Sequence, residues 1–243
     1  MPGFFGKIPS HGDFITRELP RAFLDVWDRW LQECIAASKT QLGERWLDVY
    51  LTSPIWRFAL APGIAGATVW AGVLMPSVDR VGRYFPLTIA TALDARANPL
   101  LVPATLAAWL DAVEAVALHA LDDDRFDVAG VQAALAATPE PHLEPRQAEP
   151  TAGVGSAWSM ALYDSAGDRL AADIAAALVA REAPQFSLWW TAGADTAAVV
   201  VAGLPEPPAF VELLRNLRDD VPAPAPAPAD AAAVGDAQGA AAV

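Results

Sequence analysis

A chain of 243 residues with a hydrophobic fraction of 54% and nine Trp can build a sizeable core, which excludes a disordered protein. Its net charge of −13, without a basic stripe, excludes the electrostatic footprint of a nucleic-acid or anionic-membrane binder. One cysteine, Cys34, rules out an internal disulfide and fits a reducing compartment. The charge is unevenly placed. Residues 1–90 hold nine Lys and Arg against eight Asp and Glu, whereas residues 91–243 hold seven against twenty-one.

Lys7 interrupts the N-terminus before any signal-like apolar run forms. The longest apolar stretch, 197–204, is far short of the roughly 20 residues a membrane-crossing helix needs. A cytoplasmic protein is expected.

Gly3 to Ile8 reads as a first strand, followed by a turn over Pro9, Ser10, His11, Gly12 and Asp13. From Pro20 the pattern is helical: Phe23, Trp27, Trp30, Leu31, Cys34 and Ile35 recur at spacings of three and four. Pro20 suits a helix start because its missing N–H has no intrahelical partner there. Cys34, on the apolar face of that helix, reads as a packed thiol with no charged activator.

A shorter helix is expected from Glu44 to Tyr50. Ile55–Leu60, Ala67–Leu74 and Pro86–Ala92 read as three strands, at least two of them buried on both faces. A long helix follows over about 104–121, ended by Asp122, Asp123 and Asp124, and Asp127 is placed to cap a second helix to about Ala137. Thr138 to Gly155 reads as an exposed loop. Beyond it come a strand at 156–163, a helix at 170–181, strands at 186–191 and 197–202, and a last helix at 210–217. This alternation predicts an α/β fold, a three-layer α/β/α sandwich with a central mixed sheet, as a single domain over residues 1–220. Residues 221–243 are an Ala/Pro low-complexity tail with nothing to bury.

Familiar catalytic motifs are missing. Gly6-Lys7 lacks the earlier Gly and the following Ser/Thr of a phosphate loop, and Gly153-Val154-Gly155-Ser156 precedes a strand where a dinucleotide site would follow one. There is no Gly-x-Ser-x-Gly elbow. The Asp122–Asp124 run reads as a solvated helix end, His119 as a packed histidine and His142 as a loop residue. Trp189 and Trp190 fall on opposite faces of one strand, so both faces must be covered or one indole exposed.

The turn from Pro76 to Pro86 is harder to assign. Asp79, Arg80 and Arg83 sit between two apolar strands, and they read equally as an ion pair holding the turn or as guanidinium groups presented to a carboxylate or phosphate. His11, Asp13 and Asp79 form a conceivable metal set. The competing reading is that Ser10 and Asp13 order their own turn through side-chain hydrogen bonds.

Several segments together resemble one family: Gly3-Phe4-Phe5-Gly6-Lys7-Ile8-Pro9 with Gly12-Asp13-Phe14-Ile15, Trp27-Asp28-Arg29-Trp30-Leu31, Ser53-Pro54-Ile55-Trp56-Arg57-Phe58, Trp70-Ala71-Gly72-Val73, Pro76 to Thr88, and Ser187-Leu188-Trp189-Trp190-Thr191. In combination they are similar to the TagF proteins associated with bacterial type VI secretion. The resemblance implies a layered α/β/α domain in the cytoplasm of a Gram-negative bacterium. It also implies a non-enzymatic, post-translational repressor of secretion that binds a forkhead-associated scaffold protein. It carries over no catalytic residue, metal or cofactor.

On charge and turn position, the expected partner-binding residues are Lys7, Ser10, Asp13, Ser77, Asp79, Arg80 and Arg83, provided the two turns converge. They converge if the first strand lies beside the strand entering the Ser77 turn. A metal-assisted hydrolase using His11, Asp13 and Asp79, and a small-molecule sensor with a pocket beside the turn, are the alternatives.

Overall fold

Trp56–Leu60 and Val69–Met75 are buried at every position, which requires a sheet covered on both faces. The computed structural model describes residues 1–145, 148–154, 157–162, 168–193 and 198–216. The chain begins β1 (Gly3–Gly6), β2 (Ile15–Arg17), α1 (Arg21–Leu42), α2 (Trp46–Leu51), β3 (Trp56–Leu60), β4 (Val69–Met75) and β5 (Leu87–Leu93). It continues through α3 (Val102–Thr105), α4 (Ala107–Asp122), α5 (Val128–Ala136), β6 (Ala148–Val154) and β7 (Ala157–Leu162). Last come α6 (Asp168–Glu182), β8 (Phe186–Thr191), β9 (Ala198–Ala202) and α7 (Phe210–Leu214).

Seven strands form one sheet in the order β2-β1-β5-β4-β3-β8-β9. Helix α1 covers one face. Its Phe23 and Trp27 pack on Trp70, Phe58 and Trp189, with ring centroids 4.4 to 6.0 Å apart. Helix α4 covers the other face, where Trp109, Leu110 and Val113 join Ala71, Val73, Leu188 and Trp190. The three-layer α/β/α arrangement is as expected, and Trp189 and Trp190 are buried in opposite layers.

Most of the indoles are also tied by hydrogen bonds. Trp27 Nε1 donates to Thr88 Oγ1 at 2.8 Å, across the helix–sheet layer. Trp30 and Trp56 donate to the carbonyls of Pro205 and Leu213, which straps the C-terminal segment to α1 and β3. On the other face Arg57, in β3, reaches Asp111 and Glu114 of α4 at 2.6 and 2.7 Å.

Several expectations are corrected. Every pairing among the described strands is antiparallel, so the sheet is not mixed. The helices between strands lie on the faces without making the parallel crossovers that their alternation suggested. The helix expected over 104–121 is broken at Leu106 (φ −104°, ψ 15°), where the axis turns by 77°. Residues 148–154, expected as loop, form β6, which pairs with β7 as a separate two-stranded sheet. Strand β2 was not expected, and β1 ends at Gly6. His119 is exposed with its ring against Phe126, centroids 4.2 Å apart, rather than packed inside.

The Gly155-Ser156 end of the glycine stretch, the C-terminal end of the last helix at Leu217 and the Ala/Pro segment lie outside the described residues. No single helix among the described residues is long and apolar enough to cross a membrane.

Candidate functional site

The charged turn is a hairpin built on strand pairing. As β4 ends and β5 begins, Val78 bridges Tyr84, and Phe85 N–H donates to the Ser77 carbonyl at 3.1 Å. At the tip, Asp79 N–H donates to Arg83 O and Gly82 N–H to Asp79 O, each at 3.0 Å. Gly82 has φ 82°, a left-handed conformation that an L side chain would strain.

The N-terminal turn meets this hairpin although β1 does not lie beside β4, the strand entering the turn, because it pairs with β5, the strand leaving it. The approach needs glycine at position 6. There φ is 133°, and a Cβ would stand 2.0 Å from the Pro86 carbonyl oxygen.

Asp79 is the hub. It is 3% exposed, and its Oδ1 accepts the backbone N–H groups of Val81 and Arg83 at 3.0 and 2.9 Å. Its Oδ2 accepts Lys7 Nζ at 2.9 Å and Arg83 Nε at 2.7 Å. Burial alone would raise the carboxyl pKa. The Arg83 backbone N–H, the Lys7 and Arg83 side chains and the Val81 N–H together hold it well below the usual carboxylate range.

Lys7 is itself buried, with its ammonium 4.9 Å from the centroid of the Phe14 ring. Ser77 is buried too. Its Oγ donates to the Lys7 carbonyl at 2.7 Å, and its backbone exchanges hydrogen bonds with the Tyr50 hydroxyl at 3.0 Å. Burial pushes the Tyr50 hydroxyl up, so it stays protonated and donates to the Ser77 carbonyl.

The turns are joined at the surface as well. Arg80 N–H donates to His11 O at 3.0 Å, and Arg83 Nη2 donates to Gly12 O. Asp13 Oδ1 accepts the Phe14 N–H at 2.8 Å, the turn-ordering bond that the sequence suggested. Ser10 Oγ points elsewhere, donating to the Phe126 carbonyl at 3.0 Å.

The seven anticipated residues therefore divide. Lys7, Ser77 and Asp79 are internal framework, and Ser10 braces the α4–α5 connection. Asp13, Arg80 and Arg83 face outward. Sequence reasoning passed over Tyr50, which pins Ser77, and over Phe14 and Val81, two apolar side chains exposed on the joined turns. An aromatic directly after a polar turn residue was the available signal for Phe14.

The proposed metal set does not assemble. Asp79 is saturated by two cations and two N–H groups, while His11 and Asp13 are exposed. No three His, Cys, Asp or Glu side chains among the described residues are placed to share an ion. The cavity behind the turn, lined by Tyr50, Pro76, Pro86 and Phe210, has a volume of about 10 Å³, room for at most one water.

Fold and site together define a three-layer α/β protein with a charged double-turn platform at one end of its sheet. The sequence profile of the TagF N-terminal domain, described as type VI secretion system-associated, matches residues 3–138. The solved structure of PA0076 from Pseudomonas aeruginosa PAO1 is similar to this chain, with a TM-score of 0.75 and 37% sequence identity over 88% of this chain and 94% of that one. No curated protein matches in a sequence search. The chain belongs to the TagF family of type VI secretion system-associated proteins.

Proposed function

We propose that this protein is a cytoplasmic, non-enzymatic regulator that represses type VI secretion after translation by binding a forkhead-associated scaffold protein of the apparatus. Family membership supports the link to secretion. The observation that carries the regulatory reading is the saturation of Asp79. Its oxygens are occupied by Lys7, Arg83 and two backbone N–H groups, so the acid at the centre of the site holds a shape and is not free to take a proton or a metal. What faces outward, Asp13, Arg80, Phe14 and Val81 on turns braced by Arg83, is suited to recognition.

The test is to supply the protein to a type VI-active Gram-negative bacterium lacking its own copy. Secretion into the medium, transcript levels and scaffold co-purification are then measured. The reading expects lower secretion, unchanged transcripts and captured scaffold. Unchanged secretion with stably produced protein refutes repression, and repression without scaffold capture refutes the named partner.

A further inference from the structure

The electrostatics of the double turn are opposite in sign to those of the chain. Asp79 brings one negative charge to a cluster in which Lys7 and Arg83 bring two positive ones. Arg80 adds another, and Asp13 offsets only one of these, within a chain whose net charge is −13.

Arg80 is exposed and makes no ion pair among the described residues. Its backbone is fixed by the His11 carbonyl, and its guanidinium lies over Gly12, where a Cβ would meet Nη2 at 3.4 Å. The root is held and the head is open. Val81 is 65% exposed and Phe14 44% exposed, and the Phe14 ring is fixed edge-on against Phe85 with centroids 4.8 Å apart. A rigid aromatic and an open guanidinium carried on two joined turns have the composition of an interface hot spot.

We infer that the double turn docks an acidic protein segment, Arg80 pairing with a carboxylate while Val81 and Phe14 receive a neighbouring apolar side chain. Charge complementarity selects this occupant: an acidic segment is repelled by the remaining surface and attracted here. Arg83, engaged by Asp79 and the Gly12 carbonyl, positions the turn rather than reading the ligand. This inference rests on the reading of the platform as a contact surface.

A random peptide display library selected on the full-length protein, with counter-selection on Arg80→Glu, tests it without the secretion scaffold. Enriched peptides should carry Asp or Glu beside Leu, Ile or Phe. Fluorescence polarization should show binding weakened about tenfold or more by Arg80→Glu and by Val81→Asp, and weakened also by salt. Arg96→Glu, an exposed change beyond the opposite end of β5, should bind as wild type, and all three variants should keep the wild-type melting temperature.

Enriched peptides without acids, or binding indifferent to Arg80, overturn the inference, as does a peptide that binds only when phosphorylated. If no acidic peptide binds through Arg80 while the scaffold is captured equally by wild type and Arg80→Glu, this site falls and the regulatory reading stands. If acidic peptides bind through Arg80 but the scaffold is never captured, the docking chemistry stands and the named partner falls.

Discussion

Replacing Asp79 by Asn tests whether the platform is held by charge or only by shape. The amide preserves the Oδ1 acceptor for the Val81 and Arg83 N–H groups, but it removes the negative charge and presents N–H where Oδ2 met Lys7 and Arg83. The Lys7 side chain is only 5% exposed, so its ammonium would be left buried without a counter-charge. Breaking a buried pair from one side costs roughly 3–5 kcal/mol. For a chain of this size that lowers the melting temperature by about 6–20 °C.

Urea unfolding followed by Trp fluorescence measures the difference, and a loss below about 1 kcal/mol would refute the reasoning. Lys7→Met combined with Asp79→Asn should recover most of the loss, because the stranded ammonium is gone. The pH profile gives a second check. Since the folded carboxyl is held below its unfolded value of about 3.9, its contribution is complete above about pH 5 and is lost as pH falls through 4 toward the folded value. Asp79→Asn should lack that part of the acid-induced decline.

Arg57→Met should cost about 1–3 kcal/mol in the same assay, most of it from Glu114, because Asp111 is 67% exposed and its share is screened by solvent. A wild-type melting curve would show that the clamp between β3 and α4 contributes nothing. Burial, with Glu33 adding to it, pushes the Cys34 thiol up, so a thiol reagent at pH 8 should react only as the protein unfolds. Rapid modification of the native protein would contradict that placement.

Much of the helical layer was legible because periodicity reports burial directly. The residues of α1 that recur at spacings of three and four, Phe23, Trp27, Trp30, Leu31, Cys34 and Ile35, are all buried in the structure. The adjacent indoles of Trp189 and Trp190 left two readings, both faces covered or one indole exposed, and the structure buries both. Strand direction was not legible, since alternation of strands and helices fits either parallel crossovers or antiparallel returns. Strand β2 has three residues and only Ile15 buried, too short for any period to show.

At the site, the sequence identified the two turns but not the division of labour within them. A lysine reads as a surface residue, and nothing local to Lys7 announces a buried partner 72 positions away. Tyr50 was assigned to the end of a helix, and its hydrogen bonds to Ser77 emerge only from the tertiary packing.

The order of strands has a consequence for where this protein can be cut. The matched family segment closes at residue 138, yet β8 pairs along the whole of β3, from Trp56 opposite Thr191 to Leu60 opposite Ser187. A fragment ending there would convert a central strand with five buried residues into an open edge. It would also strip Trp189 from Trp27 and Phe58, and leave the Trp30 and Trp56 indoles without the carbonyls of Pro205 and Leu213. Such a fragment would aggregate, so the smallest unit fit for binding studies or for fusion runs past the α7 strap.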